Sequence, residues 1–173
     1  YGGHIGAVEH HQESPEAYFA HTAGLRVVSP STPNDAYWMI QDAIASPDPV
    51  IFLEPKAKYW MKGEVDTSAR ALPLHASRLV RRGTDVTLVG YGPSVPVALE
   101  TATAAAEDGI SCEVVDVRSI VPFDDETVLS SVRRTGRCVV VTEAQGFAGV
   151  GAEIAARVSE RAFHSLAAPV LRV

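Results

Sequence analysis

The chain has 173 residues, 46% hydrophobic and 21% charged, with 13 glycines and 11 prolines, which is ordinary for one or two globular domains. No run approaches the ~18 apolar residues of a membrane span. The net charge of −6 is scattered along the chain with no basic patch, so neither a membrane nor nucleic acid is expected as a partner.

The chain opens at Tyr1 in a Gly-rich loop without an initiator Met, which predicts a piece of a longer chain. Ser14-Pro15-Glu16 predicts a short helix over 15–20: Ser14 can cap, Pro15 suits the first turn, and Glu16 favours the positive end. Residues 26–28 read as a buried strand. The stretch 31–35 opens a second helix whose apolar positions Ala36, Met39, Ile40, Ala43 and Ile44 keep the 3.6 period, and Pro47 and Pro49 end it. A strand follows over 50–53, giving a β-α-β unit with a right-handed crossover if its strands are parallel. Two strands cannot close a core, so this half must belong to a larger sheet or lean on a partner.

Residues 55–75 carry mixed charge and prolines without periodicity and read as a linker. Beyond them come a strand at 85–90, an Ala-rich helix at 94–107 with Ser94 as its cap, and a strand at 112–116. A helix at 124–134, a strand at 138–142, a helix at 151–162 and a strand at 170–173 complete the chain. This alternation predicts an α/β domain with a mainly parallel sheet covered on both faces. Cys112 and Cys138 lie in apolar β-like runs without Cys-x-x-Cys spacing and read as buried free thiols.

Four of the six histidines, His4, His10, His11 and His21, fall within the first 21 residues. A zinc site needs three or four converging ligands, whereas adjacent His10 and His11 should point apart. A catalytic imidazole fits the chemistry of proton transfer near neutral pH, but from composition alone a solvated or hydrogen-bonded loop histidine is the expected reading. The loop 146–151 has its glycines as Gly-x-x-Gly-x-Gly, the wrong order for a dinucleotide fingerprint. The loop 90–94 is a similar strand-to-helix turn, and neither carries a Walker lysine. No Gly-x-Ser-x-Gly elbow is present, and the Ala-rich 101–106 stretch reads as a face packed on the sheet.

Five blocks then stand out in order: GLRVVSPSTPNDA (24–36), PVIFLEPK (49–56), GTDVTLV (83–89), CEVVDVRSIVPFD (112–124) and TGR (135–137). In sequence and spacing they resemble the β subunit of the thiamine-diphosphate-dependent 2-oxo acid dehydrogenases, over essentially the whole chain. The resemblance implies three parts. Residues 1–58 are the last part of a transketolase-like pyrimidine-binding domain, 59–75 a linker, and 76–173 a transketolase C-terminal domain lacking its last segment. It implies thiamine diphosphate and Mg²⁺ as cofactors, held mainly by an α subunit and by chain upstream of Tyr1, with no cofactor-binding residue in this stretch. An α2β2 heterotetramer with a second β subunit, joined to a lipoyl-bearing acyltransferase core, is implied as the assembly. The compartment implied is the bacterial cytoplasm or the mitochondrial matrix.

The family carries an active-site histidine in a His-Ser-x-Ser stretch before a short helix with Glu-Ala-x-Phe. Counting back from Glu16-Ala17-Tyr18-Phe19 places it at His11, with Gln12 departing from the family's Ser. An imidazole there is suited to protonate the sulfur that departs when an acyl group passes to a lipoyl dithiolane. Some members hold potassium through backbone carbonyls at the end of the helix equivalent to 34–46. The matching positions are Ala43, Ile44, Ser46 and Asp48, beside the plainer reading of a helix end stopped by Pro47. Leu53-Glu54-Pro55-Lys56 with Tyr59 leans toward branched-chain over pyruvate members. A transketolase-type enzyme transferring two-carbon units, and an inactive dimerisation or docking module, stand as the other readings.

Overall fold

The computed structural model describes residues 1–3, 5–69 and 72–173; His4, with the reading placed on it, lies outside the described residues, as do Arg70 and Ala71. In chain order the elements are α1 (Glu16–Ala20), β1 (Arg26–Val28), α2 (Pro33–Ala45), β2 (Val50–Phe52), β3 (Arg78–Arg81) and β4 (Val86–Gly90). They continue with α3 (Ser94–Glu107), β5 (Cys112–Asp116), β6 (Ser119–Val121), α4 (Asp125–Thr135), β7 (Cys138–Val140), α5 (Val150–Arg161) and β8 (Leu171–Arg172), with single 3-10 turns at Glu9–His11, Lys56–Lys58 and Phe163–Ser165.

Two sheets form, in the orders β2-β1-β6 and β3-β5-β4-β7-β8. The larger sheet is parallel except for β3, which runs antiparallel to β5. β5 is buried at every position, as expected of a strand covered on both faces. On one face Ala98 and Ala102 of α3 bring the helix against Leu88, Cys112 and Val114. Ala104 and Ala106 of the same Ala-rich run face outward, so only part of it packs. On the other face Val128, Leu129 and Val132 of α4 and Ile154 and Val158 of α5 cover Val89, Val115 and Val140. Both cysteines are free and buried.

β1 and β2 are parallel, and the smaller sheet gains its third strand from far along the chain: β6 pairs antiparallel with β1. Sequence reasoning had neither β6 nor β3. Both are short, and β3 (Arg-Leu-Val-Arg) carries as many charged as apolar residues, so neither shows a buried-strand pattern. Through β6 the two halves share one core, in which Val27 and Leu53 pack with Ile120, Tyr91 and Val115. Val28, on the other face of β1, packs with Met39 and Leu74. Leu74 comes from the segment read as linker.

The helix ends correct several expectations. α2 starts as Thr32 Oγ1 accepts from the Asp35 N–H at 3.1 Å, with Pro33 in the first turn. Asp124 is not inside α4 but caps it, accepting the Thr127 N–H at 3.1 Å, and Gly136 closes the same helix at φ 70°, a left-handed geometry that glycine adopts without strain. Ser14 and Ser94 do not cap: Pro15 and Pro93 occupy those positions without side-chain hydrogen bonds. Ile44, on the apolar face expected from the period, is 79% exposed because it falls in the last turn, beyond the reach of the core. Among the described residues no helix is long and apolar enough to cross a membrane.

The two halves are bolted together by charge. Arg118, fully buried at φ 57°, sits in a three-residue turn closed by the Ser119 N–H on the Val117 carbonyl. Its Nε donates to Asp35 Oδ1 at 3.2 Å, and its Nη1 donates to the carbonyls of Pro73 (3.1 Å) and Ala76 (2.6 Å). Arg78 Nη2 adds a 2.6 Å ion pair to Asp35 and a 3.4 Å one to Asp116, and Ser31 donates to Asp116 at 2.5 Å. A second link joins α1 to the turn after β4, where Tyr91 donates to buried Glu16 Oε1 at 2.9 Å.

Removing one member of a buried ion cluster leaves its partners uncompensated, a loss of about 3–5 kcal/mol. Arg118→Met is therefore expected to destabilise the chain by about that much in urea titration. A change indistinguishable from wild type would show that the cluster contributes no net stability. Glu16 gives a pH signature. Burial, against the smaller opposing effect of its hydrogen bonds, raises its carboxyl above the ordinary 4.5. A raised acid contributes stability that is fully present below its unfolded value and is lost as pH rises through its folded value. Glu16→Gln keeps an acceptor for Tyr91 and removes that titration. Melting temperature measured from about pH 4 to pH 9 should fall less steeply with pH in the variant than in wild type, and parallel profiles would refute the assignment.

Candidate functional site

His10 and His11 lie in the 3-10 turn Glu9–His11, which four residues separate from α1. The turn starts with Glu9 at φ 49°, has no side-chain cap and buries none of its residues. Far from pointing apart, the two imidazoles sit with ring centroids 4.1 Å apart and planes tilted by 35°, because the tight turn places both side chains on one side. Both are exposed.

The turn rests on the segment following β2. Lys56 Nζ donates to the His11 carbonyl at 3.1 Å, and the Lys56 N–H donates to the Tyr1 carbonyl at 3.0 Å. The Tyr1 nitrogen donates to the Glu54 carbonyl at 2.8 Å, and the Gly2 N–H donates to the Glu13 carbonyl. Beneath the histidines lies an open cavity of ≈ 340 Å³ lined by His10, Glu13, Glu54, Lys56 and Tyr59 among others. Tyr59 donates to Glu54 Oε2 at 3.1 Å, and burial, with the Glu54 carboxylate as the smaller cause, raises its hydroxyl above the ordinary value. His10, not His11, lines this cavity. Glu54, Lys56 and Tyr59 could not have been attached to the histidine turn from sequence, since 45 residues separate Lys56 from His11.

A larger groove, ≈ 770 Å³, lies between α1, β6 and the start of α5 and is lined by His21, Phe123 and Arg157 among others. Neither His10 nor His11 borders it. Among the described residues no three His, Cys, Asp or Glu side chains gather to hold a metal ion. The positions matched to a potassium site surround the end of α2. The Ala43 carbonyl accepts the Ser46 N–H at 3.3 Å, Ile44 lies in the last turn, and Ser46 Oγ accepts the Asp48 N–H at 3.2 Å. The Asp48 carboxylate is committed to Arg26, whose Nη2 lies 2.6 Å away.

Neither Gly-rich loop is shaped as a diphosphate grip. At the 90–94 turn, Gly92 (φ 49°) faces Tyr1 and Ser29: a Cβ there would fall on both hydroxyls, which bond each other at 2.7 Å. The space that a phosphate would need in that turn is filled by protein. At the 146–151 loop the Arg172 guanidinium is engaged by the Gly146 carbonyl at 2.9 Å, and Glu143, an anion three residues before the loop, accepts the Gly3 N–H at 3.1 Å.

Comparison with known proteins places this geometry. The chain is 68% identical over 173 residues to a pyruvate dehydrogenase E1 component subunit beta of Leifsonia xyli subsp. xyli, covering 100% of this chain and 51% of the relative. It is 53% identical over 171 residues to a 3-methyl-2-oxobutanoate dehydrogenase subunit beta of Mycobacterium tuberculosis, covering 98% and 49%. Among solved structures, a split-gene transketolase described as an inactive beta4 tetramer superposes with a TM-score of 0.80 at 25% identity, covering 94% of this chain and 52% of that one. The chain thus spans about half the length of the curated relatives it matches. Residues 1–61 match the transketolase pyrimidine binding domain and residues 75–173 the transketolase C-terminal domain, and the chain belongs to that transketolase family, in company with the β subunits of 2-oxo acid dehydrogenases.

Proposed function

We propose that the protein acts as the β subunit of a 2-oxo acid dehydrogenase, decarboxylating a 2-oxo acid and passing the acyl group to the lipoyl group of an acyltransferase. The observation that carries this reading is 68% identity along the whole chain to a β subunit of that class, against 25% to the transketolase. The parts are residues 1–58 as the end of the pyrimidine-binding domain, 59–75 as linker, and 76–173 as the C-terminal domain. Thiamine diphosphate, with Mg²⁺, supplies the electron sink when bound by an α subunit and by upstream chain. The assembly is an α2β2 heterotetramer docked on a lipoyl-bearing core, in the cytoplasm or the mitochondrial matrix.

This chain's part in the reaction is proton handling. His11 stands exposed on its turn, where it can meet a group arriving from solvent. An imidazole at this position can give a proton to the sulfur leaving the dithiolane and regain one from water. A general acid at this step is worth roughly 10²–10⁴ in rate. The 53–56 and Tyr59 residues favour a branched-chain 2-oxo acid, while the name of the 68%-identical relative favours pyruvate as a second reading. The backbone carbonyls at Ala43, Ile44, Ser46 and Asp48 are proposed to hold potassium, at a helix end whose outward carbonyls carry partial negative charge.

Full-length protein co-expressed with its α subunit tests the reading. Decarboxylation dependent on thiamine diphosphate should appear with 3-methyl-2-oxobutanoate above pyruvate, and the opposite order would select the second reading. In that assembly His11→Ala should lower lipoyl-dependent turnover by at least roughly 10²-fold while decarboxylation to an artificial acceptor changes far less. Equal losses in both assays would remove His11 from acyl transfer. Exchange of potassium for choline should lower the melting temperature if the α2 carbonyls hold the ion. An unchanged melting curve would dismiss that site.

A further inference from the structure

Lys56 stands out among the charged residues around the histidine turn. The turn has no core of its own and no side-chain cap, and it begins with a residue in left-handed backbone geometry. Such a segment fixes an imidazole only if something outside it does the holding. Among the described residues, one side chain hydrogen-bonds the turn's backbone: the Lys56 ammonium, on the carbonyl of His11 itself.

The other end of that tether is firm. Lys56 follows β2 directly, Leu53 and Pro55 before it are buried, and the Leu53 N–H donates to Val28 at 2.9 Å. The Lys56 N–H is engaged by Tyr1, and Lys56 starts the 3-10 turn that the Lys58 N–H closes on Pro55 at 2.9 Å. An ammonium on a carbonyl makes a charge-assisted bond about twice as strong as a neutral one. Lys56 also brings positive charge to a cavity rim that bears the carboxylates of Glu13 and Glu54.

We infer that Lys56 is a positioning residue for the proposed acyl transfer, holding the His11 turn on the β2 scaffold through the His11 carbonyl. This rests on the catalytic reading of His11 and deepens it. Lys56 touches neither substrate nor cofactor in this account: it restricts where the imidazole stands, and a loose imidazole spends little time at the distance from which it can deliver a proton.

The test uses full-length protein assembled with its α subunit, as wild type, Lys56→Met and Lys56→Arg. Hydrogen exchange at residues 9–12 is followed alongside both activities. Lys56→Met should speed exchange in that segment roughly 10-fold with the rest of the protein unchanged. It should lower lipoyl-dependent kcat by roughly 10-fold without altering KM for the 2-oxo acid, and Lys56→Arg, which keeps a cationic donor, should restore both. Exchange at 9–12 that stays at the wild-type rate in Lys56→Met overturns the inference. Faster exchange with the same loss of kcat and a raised KM, or without rescue by arginine, also overturns it, since Lys56 would then do something other than hold the turn. Faster exchange that leaves lipoyl transfer intact also overturns the inference, since Lys56 would then hold the turn without positioning the acid, while the role of His11 is read separately from His11→Ala.

Discussion

The buried guanidinium of Arg118 is the constraint on which the rest depends. It reaches Asp35 at the start of α2 and the carbonyls of Pro73 and Ala76, so one side chain touches the first half, the linking segment and the second half together. A charge with no exposed surface is tolerable only when its surroundings compensate it. Here Asp35 and Asp116 face Arg118 and Arg78, with Ser31 and Thr32 on the carboxylates. Burial raises the Asp116 carboxyl to about 6, the largest cause outweighing the opposing Ser31 bond and the two arginines. The cluster's members come from separate parts of the chain, so it can exist only when those parts are docked.

Docking in turn completes the smaller sheet. The tight turn at Arg118 sends the chain from β5 into β6, the Ser29 N–H bonds the Arg118 carbonyl at 2.9 Å, and β6 then runs antiparallel to β1. Without β6, β1 would pair on one edge only, and Val27 would lack the neighbours contributed by Ile120 and Val115. The β-α-β unit fails to close a core alone, and the second half supplies what it lacks. The Tyr91–Glu16 bond extends the same coupling to α1, five residues beyond His11.

Most elements were legible from the chain because they follow local rules. The parallel strands announce themselves as Val-rich runs, and α3 and β5 appear with the bounds that periodicity assigns. Asp124 and Gly136 end α4 by cap chemistry that sequence carries openly. What sequence did not carry is long-range. Asp35, Arg78, Asp116 and Arg118 look like ordinary surface charges, and only the fold shows them buried or paired across 38 to 83 residues. β3 and β6 escaped for the same reason: their pairing partners, and not their own patterns, make them strands. His11 was located by counting from a helix within a family resemblance, while the proximity of its ring to His10 and its bond to Lys56 needed coordinates.

This division explains how an exposed site can be held in place. In its proposed role His11 has to be reached by an incoming group, and on this turn it gains nothing from burial to fix it. Placing His11 on a three-residue turn satisfies exposure and forfeits packing, since the turn buries nothing. Order must then be imported from elements that are packed: β2 through Lys56 on one side, and the start of α1, clamped by Glu16 to Tyr91, on the other. Both anchors trace back to the shared core and to the charges at Arg118 that keep the halves together. A substitution in the second half that loosens this docking should therefore be felt at the histidine turn, although no atom of the turn touches the buried cluster.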